Sequence, residues 1–219
     1  MLVGKSLLFV HHPRTGGTSV RNLLMRISPE QYFPTNDPRL TRDQKVWMTH
    51  QGLDVCHQYA IQNRLNPLTI PTLVCIRNPY SMMLSEYTYL SQKWKKKLKA
   101  NEKTFAGYLA NLYRETSDER KQSWSEAQYG RYQNYICVNG ETPDNLTIAR
   151  YENLAEDVNG FVADKLGITE QAKLPHKNAS RHGDFKKYYT EKEEKIVYLM
   201  WKNVFESGLY DRYEGLELA

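Results

Sequence analysis

The sequence has no long apolar run and little cysteine. No segment reaches the roughly 18 consecutive apolar residues that a membrane-spanning helix needs, so we expect no transmembrane segment. The three cysteines, Cys56, Cys75 and Cys137, are too few and too irregularly spaced for a disulfide framework, and they do not have metal-site spacing. Because a reducing compartment suits this cysteine usage, we expect a cytoplasmic protein.

A strong charge of either sign is also missing. The 30 basic and 25 acidic residues leave a net charge of +5, a mild excess that suits an anionic ligand. No basic motif with interleaved aromatic residues is present, so we expect no nucleic-acid partner. The 219 residues contain no internal repeat or low-complexity linker. We therefore predict a single domain over 1–219, with a helical excursion on the substrate side at about residues 100–140.

Apolar runs alternate with helical patterns along the chain. The predicted strands are Ser6–His12, Lys45–His50, Pro71–Pro79 and Asn145–Arg150. The predicted helices are Gly17–Ile27, Pro79 to about Lys99, Glu152–Ile168 and Thr190–Ser207. Continuously apolar strands that alternate with helices are typical of an α/β fold, with a central, mainly parallel sheet flanked by helices in three layers.

A glycine-rich turn, VHHPRTGGTSV (Val10–Val20), joins the first predicted strand to the first helix. Main-chain amides and a helix N-terminus converge at such a turn, and both favour an anion. Glycine lets the main chain approach the ligand closely, while threonine and serine add hydroxyl donors. The predicted anion-binding residues are Arg14, Thr15, Gly16, Gly17, Thr18 and Ser19.

The turn lacks the lysine of nucleotide triphosphatases. The Walker A pattern G-x-x-x-x-G-K-[ST] would place lysine where Thr18 stands and its first glycine where His12 stands. The cation of this turn comes earlier, at Arg14. The difference disfavours a triphosphate ligand. Two alternatives stay open at this stage: a nucleotide-dependent kinase or phosphotransferase, and a non-catalytic anion- or glycan-binding module.

A second group of residues follows the third predicted strand. Arg77 ends that strand, and Ser85 lies eight residues further on in the next predicted helix. Because the carboxyl ends of parallel strands open at one edge of a sheet, we expect both turns on the same side. An arginine fork and a hydroxyl at that edge can hold a second phosphate.

Together these segments resemble the motifs of sulfotransferases that use 3′-phosphoadenosine 5′-phosphosulfate (PAPS). PRTGGTS (Pro13–Ser19) is similar to their 5′-phosphosulfate loop, and IRNPYSMMLSEY (Ile76–Tyr87) to their 3′-phosphate motif. IARYENL (Ile148–Leu154) resembles the segment near the adenine, and SRHGDFKKYYT (Ser180–Thr190) the segment that wraps the 3′-phosphate. The resemblance is to the carbohydrate-type, sulfotransferase family 2-like group. It implies a P-loop-like fold, PAPS as donor, PAP as product and no metal.

The resemblance also implies roles for the matched residues outside the first loop. Arg77 and Ser85 would hold the 3′-phosphate, and Tyr151 would contact the adenine. The same resemblance adds three residues to the 3′-phosphate site: Arg181, His182 and Gly183.

At Arg14 the chain departs from most members of the group, which carry lysine at this place. It is similar there to the tyrosylprotein sulfotransferases, which carry arginine. Both cations can neutralise charge on the leaving phosphate oxygen. Because arginine does not give up its proton, we assign Arg14 electrostatic stabilisation and no general-acid role.

Transfer to a hydroxyl also needs a base, and His50 is our candidate. It ends the predicted strand Lys45–His50, at the ligand side of a parallel sheet, where carbohydrate sulfotransferases have a similar histidine. His57, Asp54 and His12 are the rival candidates.

The acceptor is expected to bear a hydroxyl group. The carbohydrate-type resemblance favours a sugar, while the arginine variant leaves a tyrosine or small-molecule acceptor open. The segment AQYGRYQNYI (Ala127–Ile136) is a candidate wall of the acceptor cleft. Its candidate contacts are Gln128, Arg131 and Tyr132.

Overall fold

A computed structural model describes residues 1–30, 32–93, 98–117, 132–170, 173–174 and 184–212 of the chain. The chain divides into two compact units. The first unit comprises Met1–Arg77 with Tyr132–Asn178, and the second comprises Asn78–Arg131 with Ala179–Ala219.

A four-stranded sheet lies at the centre of the first unit. Its strands are β1 (Leu2–Val3), β2 (Leu8–Val10), β3 (Thr72–Ile76) and β4 (Leu146–Arg150), and they are arranged in that order. β1 is antiparallel to β2, whereas β2, β3 and β4 are parallel to one another. The predicted α/β fold with a mainly parallel sheet is confirmed. The carboxyl ends of β2, β3 and β4 therefore open at one edge.

Helices in the first unit connect these strands. They are α1 (Gly17–Ile27), α2 (Arg42–Thr49), α3 (Leu53–Gln62), a short helix that we label α6 (Gln133–Ile136), and α7 (Leu154–Leu166). α1 has the bounds that the sequence predicted. A 3₁₀ turn over Tyr151–Asn153 joins β4 to α7.

The prediction of a strand over Lys45–His50 was wrong, because this segment lies in helix α2 and its end. Thr41 and Gln44 form a capping box, in which the Thr41 hydroxyl accepts from the Gln44 amide at 3.3 Å. Within the apolar run of α2, Val46 and Trp47 are 60% and 64% exposed. The apolar composition of this run suggested a buried strand, but two of its residues are exposed on the helix, and the sequence alone does not show their exposure.

The core of the first unit packs α1 and α7 against the sheet. β3 is buried along its whole length, as expected for an inner parallel strand with an apolar sequence. Buried side chains of this core include Phe9, Leu23, Leu24, Leu73, Cys75, Ala149, Phe161 and Val162. The carboxyl edge of the sheet therefore rests on a close-packed support.

The second unit is helical in its described part. Its helices are α4 (Pro79–Lys93), α5 (Phe105–Ser117), α8 (Glu191–Met200) and α9 (Lys202–Glu206), with 3₁₀ turns at Ala100–Glu102 and Phe185–Tyr188. The last predicted helix is thus two helices that meet at the buried Trp201. Within the described ranges, every helix is too short or too polar to cross a membrane.

Asn78 and Pro79 begin α4 as the sequence predicted. The Asn78 side-chain oxygen accepts from the Tyr80 amide at 3.0 Å. The Tyr80 hydroxyl donates to Glu194 at 2.6 Å, and Arg212 donates to the same carboxylate at 3.0 and 3.1 Å. These bonds hold α4 and α8 of the second unit together.

Candidate active site

The turn after β2 bends into the N-terminus of α1 through two left-handed residues. Arg14 has φ 62° and Gly16 has φ 77°. The Thr15 hydroxyl donates to the His12 carbonyl at 2.7 Å, and the Ser19 amide donates to the Gly16 carbonyl at 2.9 Å. A left-handed conformation at a non-glycine residue costs roughly 1–3 kcal/mol and is concentrated at functional sites.

Both glycines of the turn are required by close neighbours. A Cβ on Gly16 would lie 2.7 Å from Leu154 and 3.3 Å from the ring of Tyr151. A Cβ on Gly17 would lie 2.1 Å from Cδ2 of His11. The main chain of the turn is therefore packed directly against the rings of Tyr151 and His11.

Arg77, the first residue after β3, extends to the same turn. Its side chain is almost completely buried, and its Nη1 donates to the Arg14 carbonyl at 3.1 Å. Its guanidinium carbon lies 4.0 Å above the ring of Tyr151, within cation–π distance. Its main-chain amide donates to the Tyr132 hydroxyl at 3.0 Å. The structure therefore brings Arg77 into contact with the main chain of Arg14 and the ring of Tyr151.

The electrostatics of this place favour an anion. Burial is the main cause that lowers the pKa of Arg77 from its usual value, and the charge of Arg14 lowers it further. Tyr151 and Glu152 act in the opposite direction. A bound anion would offset both the burial of the guanidinium and the repulsion between the two arginines.

His50 lies beside the turn although no strand leads to it. It caps the C-terminus of α2, and its Nδ1 is 3.3 Å from the carbonyl oxygen of His11. Because a carbonyl only accepts, Nδ1 carries the proton and the lone pair lies on Nε2. Burial is the main cause that lowers the pKa of His50 to about 4, so the ring is neutral at neutral pH.

The two histidines that follow β2 point to different neighbours. The ring of His11 lies against Phe9 and His50, with centroid distances of 5.8 and 4.5 Å. The ring of His12 lies against Tyr132 and Tyr135, at 5.2 and 4.2 Å. Burial lowers the pKa of His12 to about 3 and that of His11 well below its usual value. Both rings are therefore buried and neutral at neutral pH.

His11 is the residue that sequence reasoning missed, since no rule of spacing linked it to His50. Tyr132, predicted to contact the acceptor, is 1% exposed, and its described contacts are to His12 and Arg77.

The remaining predicted residues have varied settings. Thr18 is exposed and Ser19 is buried in the first turn of α1. Ser85 is 2% exposed in the second unit.

Of the rival bases, His57 is buried on α3 and Asp54 is exposed in the first turn of α3. Gln128, Arg131, Arg181, His182 and Gly183 lie outside the described residues. No group of three or more metal-ligating side chains occurs among the residues that the structure does describe.

Comparison with known proteins identifies the family. The crystal structure of mouse sulfotransferase SULT7A1 complexed with PAP is similar to this chain at 14% identity, with a TM-score of 0.49. That match covers 97% of this chain and 86% of the other. No curated protein matches the chain. The family model described as "Sulfotransferase family" matches residues 4–215. Because this match spans nearly the whole sequence, the chain belongs to the sulfotransferase family, and the predicted sulfotransferase enzyme is confirmed at that level.

Proposed function

We propose that this protein transfers a sulfuryl group from PAPS to a hydroxyl of a carbohydrate or glycoconjugate acceptor. One observation carries the proposal: the buried Arg77 donates to the carbonyl of Arg14 where the turn enters α1. The Arg77 guanidinium thereby meets the turn after β2 at the carboxyl edge of a parallel sheet, where the charge of Arg14 also acts on it. Ligands of open α/β sheets bind at that edge.

The turn after β2 suits the 5′ end of such a donor. The N-terminal amides of α1 and the close approach allowed by Gly16 and Gly17 favour a phosphate or sulfonate. The Thr15 hydroxyl already donates to a carbonyl, so we assign Thr15 a main-chain contact. The exposed Thr18 and the buried Ser19 stay candidates for hydroxyl contacts.

Arg77 is the proposed main contact of the 3′-phosphate. Its guanidinium is oriented by Tyr151 and by the Arg14 carbonyl, which reduces the entropy that is lost when an anion binds. Tyr151 is the proposed adenine contact. Further 3′-phosphate contacts stay predictions from the resemblance: Ser85, Arg181, His182 and Gly183.

His50 is the proposed base. PAPS supplies the sulfuryl group, whose bond to the 5′-phosphate oxygen breaks as a bond to the acceptor oxygen forms. Nε2 of His50 takes the proton of the acceptor hydroxyl, while Nδ1–H stays bonded to the His11 carbonyl. Arg14 stabilises the charge that develops on the leaving phosphate oxygen. The low pKa of His50 keeps Nε2 unprotonated at neutral pH.

The acceptor class and the compartment rest on the sequence. A sugar hydroxyl is favoured by the carbohydrate-type motifs, and the proposed acceptor contacts are Gln128 and Arg131. The buried Tyr132 is proposed instead to support the main chain at Arg77, whose amide donates to its hydroxyl. A cytoplasmic location is proposed from the sparse cysteines; the described Cys56, Cys75 and Cys137 are free thiols.

Ligand binding and an acceptor screen test the function together. We expect PAP to raise the thermal midpoint of the protein and ATP with Mg²⁺ to leave it unchanged. The purified protein with PAPS is then screened against sugar, phenol and peptide acceptors with mass detection of the sulfated product. Stabilisation by ATP with Mg²⁺ but not by PAP would favour a phosphotransferase. PAP binding without transfer to any acceptor would favour an anion-binding module.

A further inference from the structure

Both the hydrogen bond and the aromatic contact described for the His50 imidazole are made with His11. Its Nδ1 lies 3.3 Å from the His11 carbonyl oxygen, and its ring centroid lies 4.5 Å from the His11 ring at an interplanar angle of 59°. The main chain of His50 is held separately. Its amide donates to the Trp47 carbonyl at 3.4 Å, and its carbonyl accepts from the Tyr135 hydroxyl at 3.3 Å.

His11 is itself fixed by packing. Its side chain is 5% exposed, and its ring is stacked on Phe9 at an interplanar angle of 28°. On another side it lies against Gly17, where a methyl group would come within 2.1 Å of Cδ2. Its buried Nδ1 has no hydrogen-bond partner among the residues described. The ring is therefore held by shape and not by polar bonds.

We propose that His11 is a positioning residue for His50, acting through its ring and its carbonyl group. The carbonyl fixes the tautomer of His50, and the ring shields and orients the imidazole that would act as base. The inference deepens the proposed function and rests on it, because positioning matters to turnover only if His50 is the base.

Charged and titratable groups face His50 from several elements. Besides His11, they are Arg21 of α1 and the amino group of Met1. His12 of the turn also interacts with His50, because a charge on His50 lowers the pKa of His12. Burial is the largest cause of the lowered pKa of His50, and the Met1 amino group and Arg21 lower it further. The bond to the His11 carbonyl acts in the opposite direction. Removing the His11 ring would admit water and raise the pKa of His50.

Two substitutions distinguish the effect of the shape of the His11 ring from the effect of its nitrogen atoms. His11→Ala removes the ring but keeps the carbonyl, while His11→Phe keeps a ring of similar shape without nitrogen. The imidazole of His50 is titrated by NMR in the wild type and both variants, and its signal is assigned by its loss in His50→Asn. We expect His11→Ala to raise the pKa of His50 by about one unit or more, and His11→Phe to leave it close to the wild-type value.

Turnover with PAPS is measured in the same proteins. We expect kcat to fall roughly tenfold in His11→Ala, with PAP affinity unchanged by calorimetry, and to be largely restored in His11→Phe. A His50 titration and a kcat that are the same in His11→Ala and the wild type would overturn the proposal. If His11→Ala does not fold, His11→Leu replaces it, with the same expected pattern and the same overturning result.

The two proposals fail in different ways. If His50→Asn keeps full turnover, the base assignment fails, and with it any catalytic meaning of His11. If His50→Asn abolishes turnover while His11→Ala changes neither the titration nor kcat, the base stands and the positioning role of His11 fails.

Discussion

In the proposed donor site, the turn after β2 and the residue after β3 would serve an anion at the same edge of the sheet by different means. The turn after β2 uses its main chain. Arg14 and Gly16 adopt left-handed conformations, and the chain then enters α1, whose first amide groups are the proposed donors. The position after β3 uses one side chain, the buried guanidinium of Arg77. A main-chain site depends on glycine and backbone shape, whereas a side-chain site depends on the identity of a single residue.

The two sites are also coupled. Arg77 donates to the Arg14 carbonyl and lies on Tyr151, whose ring in turn lies close to Gly16. Residues that share partners in this way give non-additive effects when both are changed. The comparison therefore predicts which substitutions alter chemistry, which alter affinity and which alter stability.

The largest expected effect separates chemistry from affinity. His50→Asn should lower kcat by roughly 10² to 10⁴-fold, because the acceptor proton loses its base. PAP affinity by calorimetry should stay the same, because His50 belongs to neither anion turn. A parallel loss of PAP affinity would show that His50 is part of the donor site instead.

The next effect concerns the side-chain site. Arg77→Ala should weaken PAP binding roughly 10- to 100-fold by calorimetry, because a charge-assisted contact is lost. Arg77→Lys should recover only part of the affinity, since it lacks the planar fork. Arg26→Ala is the matched control, because Arg26 is an exposed arginine in the last turn of α1. Equal weakening in Arg26→Ala and Arg77→Ala would reduce the effect to overall charge.

Arg14→Ala tests the main-chain site. We expect kcat to fall roughly tenfold, because the charge of Arg14 acts in the transition state. The change in PAP affinity should be smaller than in Arg77→Ala, because the main-chain amides of the turn remain. In the double variant, the loss of affinity should differ from the sum of the single losses, since the charge of Arg14 acts on the Arg77 guanidinium. Near-normal turnover with unchanged affinity would remove Arg14 from the site.

The last comparison concerns stability alone and sets two glycines side by side in urea denaturation. Gly17→Ala should lower the free energy of unfolding by about 1–3 kcal/mol, because its Cβ would collide with the His11 ring. Gly160→Ala, in α7, should raise it by up to about 1 kcal/mol, since nothing lies within 4 Å of its Cβ and alanine favours the helix. Equal changes would contradict the close packing of the turn.

Local patterns explain what could be predicted. The apolar runs of β2, β3 and β4, the Gly16–Gly17 turn and the Asn78–Pro79 start of α4 are each encoded by neighbouring residues. The strand expected at Lys45–His50 was wrong because the apolar run Val46–Met48 lies on a helix that buries Met48 and leaves Val46 and Trp47 exposed, which only tertiary packing shows. The capping box at Thr41 was a local signal for the helix.

The sequence by itself determined the alternation of strands and helices, the glycine-rich turn before α1 and the family, because these depend on periodicity and on short motifs. Only the tertiary structure decided that Arg77 lies on Tyr151 and meets Arg14, and that the His11 carbonyl lies next to Nδ1 of His50. The physical reason is separation along the chain. Arg77 is 63 residues from Arg14 and His50 is 39 residues from His11, so the parallel sheet and the packing of α2 must form before these groups meet.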